Sequence, residues 1–138
     1  MSTHKTVQIN NQRNQIDTVR KLFDDYSKEN KLTEKTSHDI QMALDELLTN
    51  FVSYGYEDTD EHWIDVHFGV DDGVLKVEIV DDSKPYNILE RDDPDISLSM
   101  EDKPIGGLGV FLIKKLMSSV DYYTKEGKNH LVMTKELE

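Results

Sequence analysis

Apolar residues recur three or four positions apart in two separate stretches of the chain, which is the period of an amphipathic helix. The first stretch covers residues 12–30. The second follows Thr33, a residue type that caps helix N-termini; it has Glu34 in its first turn and should end near Gly55. We therefore predict two helices, whose apolar stripes are Ile16, Val19, Leu22, Phe23 and Tyr26 in the first and Ile40, Leu44, Leu47 and Phe51 in the second.

Other stretches alternate between apolar and polar residues, which is the period of a strand with one buried face. An Asp-Asp-Gly sequence at residues 71–73 is a hairpin turn signal between two of these stretches, and Gly127 marks a second turn. The pattern predicts five strands, the first of them a short edge strand: residues 5–9, 63–70, 74–80, 120–124 and 130–134.

A long irregular segment, residues 81–105, separates the two predicted hairpins and holds all three prolines of the chain. A loop of this length inside a compact domain is usually functional or disordered. Glycines at positions 106, 107 and 109 then open a predicted third helix, residues 110–117. The order of elements predicts a single domain over residues 1–138 with an α+β fold, a two-layer α/β sandwich in which a mostly antiparallel sheet has helices on one face.

The chain is strongly acidic, with a formal net charge of -12. Such a surface repels phosphate backbones, so we expect no direct binding of nucleic acid. No apolar run approaches the roughly 18 residues that would indicate a membrane span, and the polar start of the chain predicts no signal peptide. The sequence contains no cysteine, which excludes disulfides and thiolate chemistry, and a cytoplasmic location is expected.

Glu46 and Asn50 are the first candidate site residues. They lie four residues apart in the second predicted helix, so one side chain sits above the other. At roughly 100° per residue, they fall with Ala43 at one rim of the apolar stripe. From a rim that faces a cleft, an amide oxygen could bind Mg²⁺ and a carboxylate could orient or deprotonate a nucleophile. Taken alone, such a pair is more often an ordinary polar boundary.

Two further candidates flank the long segment. Asp81 ends a predicted strand, where its carboxylate could accept a hydrogen bond from an exocyclic amine such as that of adenine; the ordinary alternative is a strand-ending turn. The glycines before the third helix let backbone N–H groups approach a phosphate at the positive end of that helix, and the ordinary alternative is a tight turn into a buried helix. Their pattern is neither a Rossmann GxGxxG sequence nor a P-loop.

The order and spacing of these three features distinguish between the alternatives. The strings ALDELLTN at residues 43–50, DDSKPYN at 81–87 and PIGGLGVFLI at 104–113 resemble the N box and the two glycine boxes of the GHKL superfamily. The closest resemblance is to its stand-alone anti-sigma-factor serine/threonine kinases, which implies a histidine-kinase-like ATP-binding domain with the Bergerat fold. The chain departs from the usual pattern at Ser83 and Pro85, where glycines are common, and at Tyr54, where histidine is frequent.

The resemblance assigns a role to each matching residue. Asn50 would bind the Mg²⁺ that bridges the phosphates of ATP, Glu46 would be the base or orienting carboxylate, and Asp81 would hold the adenine amine. Residues 92–105 would belong to a mobile lid of about residues 88–105. The other residues that the resemblance places at the nucleotide are Pro85, Lys103, Gly107, Leu108 and Gly109.

In function, the resemblance implies a protein serine/threonine kinase that uses ATP and Mg²⁺ to phosphorylate an anti-sigma-factor antagonist, and that otherwise sequesters a sigma factor. The resemblance also implies a homodimer, which is the usual oligomeric state of the family. The alternative is a regulatory module that binds ATP or ADP as a switch and binds a partner protein without phosphoryl transfer. Glu46 discriminates between the two, because a switch needs no base. A third hypothesis, supported only by Ser83, is that the chain is a relative of these kinases that no longer binds nucleotide and has kept only a protein interface.

Overall fold

The computed structural model of the protein describes residues 3–54, 62–82 and 113–137. A helical turn at residues 113–116 precedes the last two strands, so the predicted third helix ends one residue before its predicted end at Met117. Residues 110–112 of that predicted helix and the predicted lid lie outside the described residues. None of the helices in the described ranges is long and apolar enough to cross a membrane. In chain order the elements are β1 (Thr3–Asn10), a short 3-10 helix (Arg13–Gln15), α1 (Ile16–Glu29), α2 (Glu34–Tyr54), β2 (Trp63–Asp71), β3 (Val74–Asp81), β4 (Ser119–Lys125) and β5 (Lys128–Glu136).

The five strands form one antiparallel sheet in the order β1-β2-β3-β5-β4. Two of its ladders are local hairpins with tight turns. Asp72 and Gly73 have φ angles of 50° and 75°, and Glu126 and Gly127 have φ angles of 54° and 78°. Positive φ at both central positions is the mark of a type I′ turn, whose twist matches that of the flanking strands. The predicted strands, both hairpins and the α+β class are confirmed.

The helices cover one face of the sheet, and the side chains between the two layers form the core. The ring of Phe68 on β2 packs against both aromatic residues of α1, with centroid distances of 5.2 Å to Phe23 and 5.6 Å to Tyr26. The stripe predicted for α1 is buried except for Leu22, which is only partly buried. Strand alternation directs the core residues of the sheet inward: Ile9, Ile64, Val66, Leu75, Val77, Ile79, Leu131 and Met133.

The opposite face of the sheet is polar, and no other described element covers it. At its centre Glu78 accepts a hydrogen bond from the Tyr123 hydroxyl at 3.1 Å and lies 3.1 Å from Nδ1 of His130. The His130 and Tyr123 rings stack on each other at 4.6 Å. Partial burial tends to raise the pKa of Glu78, but the hydrogen bonds from His130 and Tyr123 outweigh it, so the pKa lies below its ordinary value. Cross-strand polar pairs therefore organise this face, whereas apolar burial organises the other.

Thr33 caps α2 as predicted. Its Oγ1 accepts a hydrogen bond from the backbone N–H of Thr36 at 3.1 Å, and its carbonyl accepts one from the N–H of Ser37 at 2.9 Å. The negative charge of Glu34 in the first turn also interacts favourably with the helix dipole. The position at which α2 begins is thus fixed by local side-chain chemistry.

Thr33→Ala is expected to lower the free energy of unfolding by about 1 kcal/mol, because the N–H of Thr36 loses its acceptor. Urea denaturation measures the change. Thr33→Ser is the matched control, since it keeps the hydroxyl and should lose clearly less stability. Equal losses in the two variants would show that the methyl group of Thr33, and not its capping hydrogen bond, stabilises the helix start.

Candidate functional site

The helix α2 has two sides that flank its buried stripe, and one of them is occupied by α1. On that side Asp45 forms an ion pair with Arg20, with 2.8 Å between Oδ1 and Nη2. The side-chain amide of Gln41 donates to the backbone carbonyl of Arg20 at 3.1 Å. These contacts fix the rotation of α2 about its axis, so its other side is turned away from α1.

That other side carries Asp39, Ala43 and Glu46, which share a face of the helix because they are spaced by four and three residues. Asp39 and Ala43 are buried, and Glu46 is half-buried. The rim predicted for Glu46 is therefore a real boundary of the core, and Ala43 lies fully inside it. A carboxylate in such a position is partly shielded from water, as a general base or an orienting group requires.

Asp81 is the last residue of β3, the central strand of the sheet, and its exposure is only 2%. An exposed strand-ending turn, the ordinary alternative for this residue, does not describe a carboxylate buried in the ladder. The side chain is held from the neighbouring strand, where Nδ2 of Asn129 donates to Oδ1 of Asp81 at 2.8 Å. The two residues are also register partners in the β3–β5 ladder.

Asn129 is itself held in one orientation. Its Oδ1 accepts a hydrogen bond from the Tyr122 hydroxyl at 2.9 Å, while its Nδ2 points to Asp81. With both ends of the amide engaged, the carboxylate of Asp81 is fixed by a short polar network. A buried carboxylate in a fixed orientation is a suitable acceptor for an exocyclic amine, because a hydrogen bond to a charged acceptor is stronger than one between neutral groups.

Asn129 and Tyr122 are functional candidates that the sequence patterns do not indicate. The sequence offers no signal for Asn129, because it stands between the predicted turn at Gly127 and the predicted strand 130–134, where asparagine is common. The β3–β5 register places Asn129 beside Asp81, and this register could not be predicted from the sequence.

The next residue along the chain, Asp82, has a different environment. Its side chain is about half exposed, and Oδ1 lies 3.4 Å from Nδ1 of His62. Two consecutive carboxylates thus differ in their surroundings: Asp81 is buried within the sheet, and Asp82 lies at the surface near a histidine. This contrast makes Asp82 a natural control for any substitution of Asp81.

Several predicted site residues cannot be compared with the structure. Asn50 lies on α2, one helical turn beyond Glu46, but its side chain is not described. The prediction of a magnesium ligand falls on this side chain, and within the described ranges no group of three or more His, Asp or Glu could hold a metal ion. The lid at about residues 88–105 is also outside the described residues, as are Pro85, Lys103, Gly107, Leu108 and Gly109.

A groove of about 580 Å³ lies on the α1 side of α2, and it is distinct from the predicted site. Its walls carry charges of both signs, among them Arg20, Asp24 and Asp45. Neither Glu46 nor Asp81 lines it. A nucleotide site at the rim with Glu46 and at the Asp81 end of the central strand stays a prediction.

Known proteins resemble this chain over most of its length. The profile of the family described as "Histidine kinase-like ATPase domain" matches residues 9–135. The solved structure of the RsbU and RsbW domains of Rv1364c from Mycobacterium tuberculosis superposes with a TM-score of 0.66 at 18% identity. That alignment covers 98% of this chain and 32% of the other, and at such low identity it supports the fold alone.

Among curated proteins, "Serine-protein kinase RsbW" of Listeria monocytogenes serotype 4a (strain HCC23) is 32% identical over 101 residues, which cover 70% of this chain. The protein of the same name from Bacillus thuringiensis (strain Al Hakam) is 32% identical over 105 residues, or 72% of this chain. In both cases the match covers 64% of the relative. The chain therefore spans less than two thirds of the length of the curated relatives that it matches.

Proposed function

The chain belongs to the histidine kinase-like ATPase domain family, as its three motifs predicted, and on this premise we propose that it is a protein serine/threonine kinase. It would transfer the γ-phosphoryl group of ATP to a small anti-sigma-factor antagonist and would sequester a sigma factor when it is not so engaged. The names of its curated relatives, serine-protein kinases, support this proposal.

One observation carries the kinase proposal beyond nucleotide binding: the half-buried carboxylate of Glu46 on the side of α2 that is turned away from α1. A module that only binds nucleotide has no use for a shielded carboxylate beside its metal ligand. A kinase uses one to orient the acceptor hydroxyl or to take its proton. Phosphoryl transfer otherwise depends mainly on positioning and electrostatics, so few protein groups are needed.

In this proposal, the predicted site residues act at the two ends of the nucleotide. Asp81, oriented by Asn129, would accept a hydrogen bond from the adenine amine. Asn50 would provide a ligand for Mg²⁺, which neutralises phosphate charge when it is bound. Gly107, Leu108 and Gly109 would offer backbone N–H groups to the phosphates, with Lys103 and Pro85 as further nucleotide contacts.

The partners in this proposal are proteins. With a net charge of -12, the surface disfavours nucleic acid as a direct ligand and makes local cation or N–H groups necessary for a nucleotide. We propose a cytoplasmic location and a homodimer as the working state, in keeping with the habit of the family.

Magnesium-dependent binding of ATP is the first test. We expect calorimetry to detect heat when ATP is titrated with Mg²⁺ and a much weaker signal with EDTA. At an ATP concentration of 100 times Kd, the folded state should gain about 2.7 kcal/mol, which raises the thermal midpoint. Absence of both heat and thermal shift at millimolar nucleotide would contradict the proposal. Binding without labelling of any cognate antagonist would support the nucleotide switch instead.

A further inference from the structure

Asp39 is a buried acid on α2 that the proposed chemistry does not use. Its side chain is 7% exposed, and its Oδ2 lies 3.3 Å from the ammonium groups of both Lys35 and Lys135. The two lysines differ in their surroundings, because the Lys35 side chain is 72% exposed and that of Lys135 only 16%. Lys135, on β5, is therefore the partner whose side chain is largely buried together with that of Asp39.

Lys135 also reaches a third element. Its ammonium donates a hydrogen bond to the backbone carbonyl of Leu116, the last residue of the helical turn at 113–116. A lysine suits this place, since the final carbonyls of a helix lack intrahelical donors and carry partial negative charge. The chain just beyond the turn is tied to the same strand. The N–H of Ser118 donates to the carbonyl of Thr134 at 2.8 Å, and the hydroxyl of Ser118 accepts from the N–H of Glu136 at 2.9 Å.

Asp39 and Glu46 lie on the same face of α2, since seven residues correspond to nearly two full helical turns. Lys135 thus joins the face of α2 that carries Glu46 to the chain segment that directly follows the second glycine box. These are the two parts of the protein between which the phosphates are proposed to bind. A shift of either relative to the other would change the geometry of the phosphate site.

We propose that Lys135 and Asp39 are positioning residues of the nucleotide site, which fix the helical turn at 113–116 relative to α2. The inference rests on the proposed nucleotide binding. Neither residue touches the nucleotide in this proposal; both act by fixing the relative placement of two segments that do. Lys35 binds the same carboxylate from the surface and reaches only one of the two segments, so it has no such role.

The test compares ATP affinities, measured by calorimetry with Mg²⁺ on the full chain at a temperature at which every variant is folded. We expect Lys135→Met to weaken ATP binding by about tenfold, because small misplacements of positioned groups are costly. Lys135→Arg keeps a cation at the position and should recover affinity to within about threefold of the wild type. Lys35→Met should stay within about twofold, since an exposed ion pair contributes little.

A loss of ATP affinity that results from lower stability must be distinguished from one that results from a misplaced nucleotide site. Ile9→Ala removes core volume on β1, at the far edge of the sheet from β4, and supplies a variant with lowered thermal midpoint but an intact Lys135–Asp39 pair. It should bind ATP within about twofold of the wild type. Hydrogen exchange provides the second readout: the amide of Met117, which bonds to the Ile113 carbonyl at 3.0 Å, should exchange faster in Lys135→Met and not in Ile9→Ala.

If Lys135→Met does not fold, Asp39→Asn replaces it, with the same expected loss of affinity. The double variant Asp39→Asn/Lys135→Met should bind ATP about as well as the weaker single variant, because both substitutions break one link. Should Lys135→Met lose no more affinity than Ile9→Ala, or should Lys135→Arg fail to recover it, the positioning role is refuted while the proposed function stands. A wild-type chain that does not bind ATP refutes both.

Discussion

Glu46→Gln is expected to reduce phosphoryl transfer to the cognate antagonist by roughly 10²–10⁴-fold, the usual contribution of a general base. The substitution keeps the shape of the side chain at the rim of α2 and removes only its charge and basicity. Nucleotide binding should therefore persist within a few-fold, since the buried residues of the same face, Asp39 and Ala43, remain in place. Transfer of radiolabel from ATP to the antagonist, measured beside direct ATP binding, separates the two effects.

Asp45→Asn is the matched control for Glu46→Gln. Asp45 is the adjacent acid on α2, but it lies on the side that faces α1 and pairs with Arg20 at the surface. Loss of this exposed pair should cost no more than about 1 kcal/mol of stability and leave transfer within a few-fold. If Glu46→Gln transfers phosphate as fast as Asp45→Asn, Glu46 is not the base. If neither variant nor the wild type labels a partner, the switch becomes the better description.

Asp81→Asn is expected to weaken ATP binding by about one to two orders of magnitude, because the adenine amine loses a charge-assisted hydrogen bond of roughly 1.5–3 kcal/mol. The neighbouring Asn129 amplifies the effect. Its amide donates to Oδ1 of Asp81, so the new asparagine must turn its oxygen toward Asn129. That orientation presents its NH₂ group to the amine of adenine, and two donors then face each other.

Calorimetric titration of ATP into Asp81→Asn measures the loss, and Asp82→Asn serves as its control. Asp82 is the next residue along the chain, with an exposed carboxylate near His62, so its neutralisation should change affinity by no more than about threefold. Similar losses in both variants would mean that general negative charge at the end of β3, and not a specific acceptor, governs binding. An unchanged affinity in Asp81→Asn would remove this residue from the site.

Local patterns in the sequence predicted most of the described fold. Alternation identified all five strands, and the Asp-Gly and Gly signals placed both hairpin turns where positive φ angles occur. Thr33 marked the start of α2, and the apolar stripe identified which of its faces is buried. These features depend on residues that lie close together in the chain, where propensity and period are informative. The same locality explains why Glu46 could be placed at a boundary of the core.

The long-range contacts of the site could not be predicted in this way. Nothing near Asp81 in the sequence indicates Asn129, and nothing near Asp39 indicates Lys135. The first pairing follows from the register of the β3–β5 ladder, which is set by the whole sheet. The second follows from the packing of α2 against β5. From the sequence alone, Lys135 has the features of an ordinary solvated lysine. Only the fold shows that it lies against the buried acid Asp39. The roles of the glycine boxes came from resemblance and remain predictions.

The ladder between β3 and β5 has a consequence for how this domain can change over evolution. Pairing Asp81 with Asn129 closes a single large loop that contains everything between them in the chain. The entropy of closing such a loop grows only with the logarithm of its length, so each doubling costs about 0.6 kcal/mol. This is less than the expected loss for one missing helix cap. Outside β4 and the helical turn at 113–116, insertions and deletions in that stretch therefore cost little loop-closure entropy, and new recognition specificities can arise there while the sheet is inherited unchanged.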